Sequence, residues 1–277
     1  LGKGIILASI DMGNYALNEI YVDPYAITED LITPNDLGVS MPGNSMGFRC
    51  SEFKKEHKNT HILFSGCSQT VGQGLDHDEL WSFKVYNKIT RDNMTSEFYN
   101  LAISGSSLPM ACLNIIKYCS KYSKPDIVFL NCPPYNRFWN AEINNNKVQY
   151  KTYIFDFYDN LKENDLTLLN LKLLSYHYYY LLEQYCLSNN IRLYSFAWGT
   201  DNLSVNSDKN FNFKTFYRID KKEMLKFLHE YQIDNPNDEF ALVARDGVHL
   251  GTAFNEYWTQ FILKKYYGIY DGGLELI

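Results

Sequence analysis

Ser68 stands in Gly66-Cys67-Ser68-Gln69-Thr70, directly after a short apolar run, and Arg245-Asp246-Gly247-Val248-His249 lies near the far end of the chain. A serine hydroxyl is a weak nucleophile until a base takes its proton. Asp246 and His249 are three residues apart. One tight turn can therefore put both on one side and let the carboxylate orient the imidazole. Two further turns follow apolar runs, Ser104-Gly105-Ser106-Ser107 and Pro134-Tyr135-Asn136-Arg137. A tetrahedral intermediate needs donors aimed at its oxygen, each worth roughly 3–4 kcal/mol. The N–H groups of Ser68 and Gly105 and the side-chain amide of Asn136 are the candidates. The chemistry these types allow is acyl transfer: Ser68 attacks, His249 takes and returns the proton, and Asp246 holds His249.

Other readings of the same residues fit less well. A phosphate loop needs four residues between its glycines and a following Gly-Lys-Ser/Thr. Gly66 and Gly72 have five between them and no lysine follows. The nucleophile elbow G-x-S-x-G fails because Thr70 replaces its second glycine. Cys67 is a rival nucleophile, but neighbours on a turn point different ways. Asp76-His77-Asp78-Glu79 offers metal-ligand types, yet acidic residues also suit the first turn of a helix. The reading is no metal and no organic cofactor. Tyr135, Arg137 and Trp198 follow strands and are expected to line a substrate pocket, although loop aromatics are also common packing residues.

These residues need elements to position them. Short apolar runs at His61–Phe64, Phe98–Ile103, Asp126–Cys132 and Ile191–Ala197 read as strands, and Phe240–Ala244 is a further short apolar run. Helical patterns alternate with them: Asp78–Ile89 with Asp78 as cap, Pro109–Cys119, a long helix with Leu166, Leu169, Leu173, Tyr176 and Tyr180 on one face, Lys221–Tyr231 and Thr252–Tyr266. Such alternation predicts a three-layer α/β/α sandwich with a mainly parallel sheet of about five strands. In open sheets of this kind the site lies at the carboxyl ends of the strands, where the candidate nucleophile and oxyanion donors fall. Residues 1–48, rich in turn signals, read as a loop-rich leader packed on a core domain of residues 49–277. Residues 138–165 read as an insertion, irregular with a hairpin.

The combination resembles the SGNH (GDSL-like) hydrolase superfamily, which is flavodoxin-like in its layering. Ser68 matches the nucleophile block, Gly105 the second block, Asn136 the third, and Asp246 with His249 the Asp-x-x-His block. Asn44-Ser45-Met46-Gly47-Phe48-Arg49 resembles the lead-in of one branch, and the likeness covers about residues 44–267. The sequence departs from the pattern where Cys67 replaces an aspartate before the serine, where prolines stand near the third-block glycine, and where Arg137 replaces its aspartate. The resemblance implies a serine esterase acting through an acyl-enzyme. Loop-borne aromatics suit an O-acetyl group on a carbohydrate better than a long acyl chain. The alternatives are a sugar O-acyltransferase and a non-catalytic binding or assembly module that retains the fold.

Composition bounds the partners. The 277 residues carry a net charge of −6 and 16% aromatics. No basic footprint for nucleic acid is present, and aromatics this abundant argue against long disordered stretches. No apolar run is long enough for a membrane span. Gly4–Ile10 has one lysine, Lys3, before it and no small-residue cleavage site, so no signal peptide is read. Six cysteines, at 50, 67, 112, 119, 132 and 186, show no CxxC pairing and read as reduced thiols, slightly favouring the cytoplasm. The expected partner is a small-molecule or glycan ester; oligomeric state is left open.

Overall fold

A computed structural model describes residues 8–10, 43–57, 60–90, 98–135, 137–144, 147–154, 166–199 and 204–268. Its centre is a four-stranded parallel sheet of β2 (Ile62–Ser65), β3 (Tyr99–Asn100), β4 (Ile127–Cys132) and β7 (Arg192–Ala197), in the order β3-β2-β4-β7. β2 and β4 are buried along their whole length, as strands covered on both faces must be. Alternate residues point to opposite faces. Leu63, Val128, Leu130 and Leu193 pack with α3 (Leu108–Lys121) and α4 (Leu166–Ser188). Ile62, Phe64, Ile127, Phe129 and Phe196 pack with α2 (Trp81–Thr90), α5 (Lys221–Asp234) and α6 (Thr252–Tyr266). The molecule is thus the expected three-layer α/β/α sandwich.

The apolar run Phe240–Ala244 adds no strand to the sheet. The carbonyls of Phe240, Ala241 and Leu242 accept from the N–H groups of Thr252, Ala253 and Gly251, so they cap α6 instead of pairing with the sheet. Gly251 must be glycine there, because a Cβ would lie 1.9 Å from the Phe240 carbonyl oxygen. The segment keeps one antiparallel bridge, Val243 to Leu250. The outer edge of β7 carries a single parallel bridge, Ser195 to Phe216. The second strand is shorter than its apolar run because Asn100 Oδ1 accepts from the Ala102 N–H at 3.0 Å and turns the chain. Asp76, not Asp78, starts the helical stretch: it forms a capping box with Glu79 around a 3-10 turn, His77–Glu79, ahead of α2.

The face of α4 read from Leu169, Leu173 and Tyr180 is solvent-exposed, while Leu168, Tyr179, Leu182 and Cys186 enter the core. This helix is apolar all round, so its apolar spacing does not single out the inner face. The expected insertion contains an antiparallel hairpin, β5 (Arg137–Asn144) and β6 (Lys147–Ile154), onto which β1 (Ala8–Ile10) pairs along β6. Residues 1–7 and 11–42 of the expected leader lie outside the described residues. Of residues 43–48, Phe48 is fully buried in the core on the α3 side of the sheet.

Candidate active site

β2 ends in Gly66, whose φ of +157° and whose close neighbours (Thr70 Oγ1 at 2.4 Å and the Asn131 carbonyl at 2.9 Å from a built Cβ) exclude a side chain. The chain then enters the one-turn helix α1 (Ser68–Val71), with Cys67 at its N-cap and Ser68 as first helical residue. The Ser68 side chain sits at the carboxyl edge of the sheet and is almost fully buried. The far end of α1 is locked from below. Arg49 donates through Nη1 to the Val71 and Gly72 carbonyls at 3.1 and 2.8 Å, and through Nη2 to Leu75 at 2.8 Å. Asn44 sends Arg49 inward: its Oδ1 accepts from the N–H groups of Met46 and Phe48, both at 3.0 Å. Asn100 Nδ2 adds a donor to the Thr70 carbonyl at 2.9 Å.

Gly105 occupies a left-handed turn, φ +74°, after β3. That turn is tied to the nucleophile turn, since Ser106 Oγ donates to the Gly66 carbonyl at 2.7 Å and the Ile103 N–H donates to it at 3.3 Å.

Asp246 and His249 form the expected pair. His249 Nδ1 and Asp246 Oδ2 are 2.5 Å apart, and Asp246 Oδ1 accepts from the N–H groups of Val248 and His249 at 3.0 Å each. Burial alone would raise the Asp246 carboxyl. Those two backbone donors and the imidazole outweigh it and hold the group below the usual range. The loop is docked on the Ser68 turn: the Leu250 N–H donates to Gln69 Oε1 at 3.4 Å, and the Arg245 N–H donates to the Gly74 carbonyl at 3.1 Å. A Cβ on Gly74 would fall 2.8 Å from Asp246 Cγ, so only glycine admits the carboxylate this close.

The structure therefore brings the loop that carries Asp246 and His249 to the residue that follows Ser68, through the Leu250 N–H, and ties Gly105 to the same turn. Asn136 lies outside the described residues. Tyr135, expected to line a pocket, is fully buried instead. Its ring packs near Tyr176 on α4, centroids 6.1 Å apart, with the Lys172 ammonium 5.6 Å from its centroid. Burial pushes its phenol upward in pKa. Trp198 is half-buried on the α6 side of the sheet. Arg137 is half-buried, with Nε and Nη1 holding no hydrogen bond. Asp76 and Glu79, the metal-ligand types, are engaged by Arg245.

Sequence reading missed Gln69, Gly74, Asn100 and Asn131. Asn131 is a fully buried amide near the end of β4 whose Oδ1 and Nδ2 hold no hydrogen bond, and its carbonyl abuts Gly66. A polar residue inside the run Ile127–Cys132 was its signal. Gln69 and Gly74 carried none, because their roles depend on a loop some 170–180 residues away.

No protein-family model matches the sequence, and no curated protein matches it. The fold is similar to three solved structures. A psychrotrophic esterase, EstA, from Pseudoalteromonas sp., inhibited by monoethylphosphonate, aligns over 75% of this chain and 98% of its own at 14% identity and a TM-score of 0.45. TesA aligns over 76% and 99% at 10% identity and 0.41. A lipolytic protein of the G-D-S-L family from Desulfitobacterium hafniense DCB-2 aligns over 73% and 97% at 13% identity and 0.39. At these identities and scores none of them transfers a function to this chain.

Proposed function

We propose that the chain is a serine esterase of SGNH type that cleaves a carboxylic ester, with an O-acetyl group on a carbohydrate as the preferred substrate. One observation carries the reading: the 2.5 Å Asp246–His249 pair sits on a loop hydrogen-bonded to Gln69, the residue after Ser68. In this reading Ser68 Oγ attacks the acyl carbonyl as His249 Nε2 accepts its proton. The carbonyl oxygen becomes an oxyanion held by the N–H groups of Ser68 and Gly105 and by the Asn136 amide. Collapse expels the alcohol, which takes the proton back from His249. Water then repeats the sequence on the acyl-Ser68 ester and releases the acid. Asp246, ionised throughout, stabilises the imidazolium formed in each half. Tyr135 belongs to the core, so Arg137 and Trp198 are the remaining candidates for substrate contact.

The test is a fluorophosphonate probe on the native chain followed by peptide mass analysis, run beside a panel of acetyl-sugar and nitrophenyl esters. Label on Ser68 and release of free acetate are expected. A native chain that takes no label and cleaves no ester leaves the fold as a binding or assembly module.

A further inference from the structure

We propose that Glu79 and Arg245 are positioning residues for this site: their side-chain fork holds the loop bearing Asp246 and His249 in register with the Ser68 turn. The inference rests on the serine-esterase reading for its kinetic consequence, but not for its structural one.

The loop from Val243 to Leu250 has little apolar anchorage. Leu250 packs at the edge of the large core, but Val248 is exposed and the small cluster beneath the loop holds Leu75, Leu80 and Ala244, with Phe83 against it. Among the described residues the loop's backbone makes two outside contacts, one to Gly74 and one long bond to Gln69. The remaining cross-link is ionic. Arg245 Nη1 donates to Glu79 Oε2 at 2.6 Å and Nη2 to Glu79 Oε1 at 3.0 Å, with Asp76 Oδ2 3.4 Å from Nη2. Among the described residues these are the ion pairs that tie the loop to the rest of the protein.

Exposed ion pairs contribute little to stability, but a two-pronged pair with restrained side chains is the exception. Here the side chains are about three-quarters buried, at 21% and 23% exposure. The Arg245 guanidinium also lies 4.7 Å from the centroid of the Phe240 ring, which fixes its plane. Glu79 is fixed in turn, because its Oε2 also accepts from the Asp76 N–H at 2.7 Å. Asp76 and Glu79 close the segment whose carbonyls at Val71, Gly72 and Leu75 are held by Arg49. The stretch from Ser68 to Glu79 is thereby gripped by Arg49 at one end and Arg245 at the other. Arg245 is the residue directly before Asp246, so a shift of its backbone moves the carboxylate that orients His249.

Glu79→Gln keeps the shape and removes the charge. Arg245→Lys keeps the charge and removes the fork. Lys84→Gln is the control, since it breaks the Lys84–Glu256 pair between α2 and α6, away from the loop. Each is assayed with 4-nitrophenyl acetate and by proton NMR of the low-field His249 Nδ1–H. The expected result for Glu79→Gln is a kcat lower by about 10- to 100-fold, the scale of a sub-ångström to one-ångström misplacement, with KM little changed. Its low-field resonance broadens through faster exchange, Arg245→Lys is intermediate, and Lys84→Gln shows neither change. Unchanged kcat and a sharp resonance in both fork variants overturn the proposal, as does an equal kcat loss in Lys84→Gln. If the native chain cleaves no ester, the esterase reading fails, and the resonance alone decides the fork. If Glu79→Gln does not fold, Arg245→Lys decides by the same readouts.

Discussion

Cys67 and Ser68 are adjacent, both buried, and both chemically able to attack a carbonyl. The backbone separates their roles. Cys67 is the extended N-cap and Ser68 the first helical residue, so successive side chains diverge and Ser68 carries the helical N–H suited to an oxyanion. Ser68→Ala is expected to abolish ester hydrolysis while Cys67→Ala retains most of it; kcat/KM on 4-nitrophenyl acetate measures both, and the reverse order sinks the assignment. Asp246→Asn preserves the volume but removes the charge that holds the His249 tautomer. On the scale known for triads of this type, kcat drops by about 10^4-fold. The sign with pH follows from the depressed Asp246 value. The carboxylate and its share of stability are fully present above its ordinary value of 3.8 and are lost as pH falls through the lower folded value.

At the scale of elements, the short helix α1 is held from outside more than from within, since one turn makes few bonds of its own. Gly72 closes it at φ +76°, where a Cβ would lie 1.9 Å from Leu80 Cδ2. Gly72→Ala is expected to cost about 2 kcal/mol or more, from left-handed strain together with overpacking. The accompanying fall in Tm, several degrees for a chain this long, is read by calorimetry. The strands and helices that frame the site were legible because their apolar runs are local: α3 has a proline in its first turn, as the sequence reads, and the structure adds Ser107 as its cap. What was not legible depended on distant partners. Phe240–Ala244 has strand-like residues, but its carbonyls are taken by the start of α6. The face of α4 could not be chosen because Leu and Tyr surround it on every side. The Asp246–His249 pair of the proposed triad was readable from its spacing, whereas the Gln69, Gly74 and Glu79 contacts that dock the His249 loop join segments far apart in sequence and leave no local pattern.

At the scale of the whole molecule, a residue outside the proposed triad is expected to set the first response to acid among the described residues. His77 sits in the 3-10 turn with its ring 4.0 Å from Phe83 and 5.3 Å from Phe98, centroid to centroid, and its buried Nδ1 holds no hydrogen bond. Burial, and then the Arg49 guanidinium, push its pKa from 6.5 down to about 4, against a smaller opposite pull from Asp78. A folded value below the unfolded one means that the unfolded chain binds the proton first. Its stabilising share is complete above pH 6.5 and drains away as pH falls toward 4. The carboxylates of Glu79, Asp208, Asp246 and Glu256 are also held below their ordinary values of 3.8 to 4.5, so their losses begin only at lower pH. The Tm of the native chain should therefore start to decline near pH 6.5, well before the carboxylates titrate. His77→Phe keeps a ring against Phe83 and Phe98 and removes the proton site, so its Tm should decline less than that of the native chain between pH 6.5 and about pH 4.5. Calorimetric scans of both proteins between pH 4 and 8 decide the matter: parallel curves would show that another group sets the acid limb.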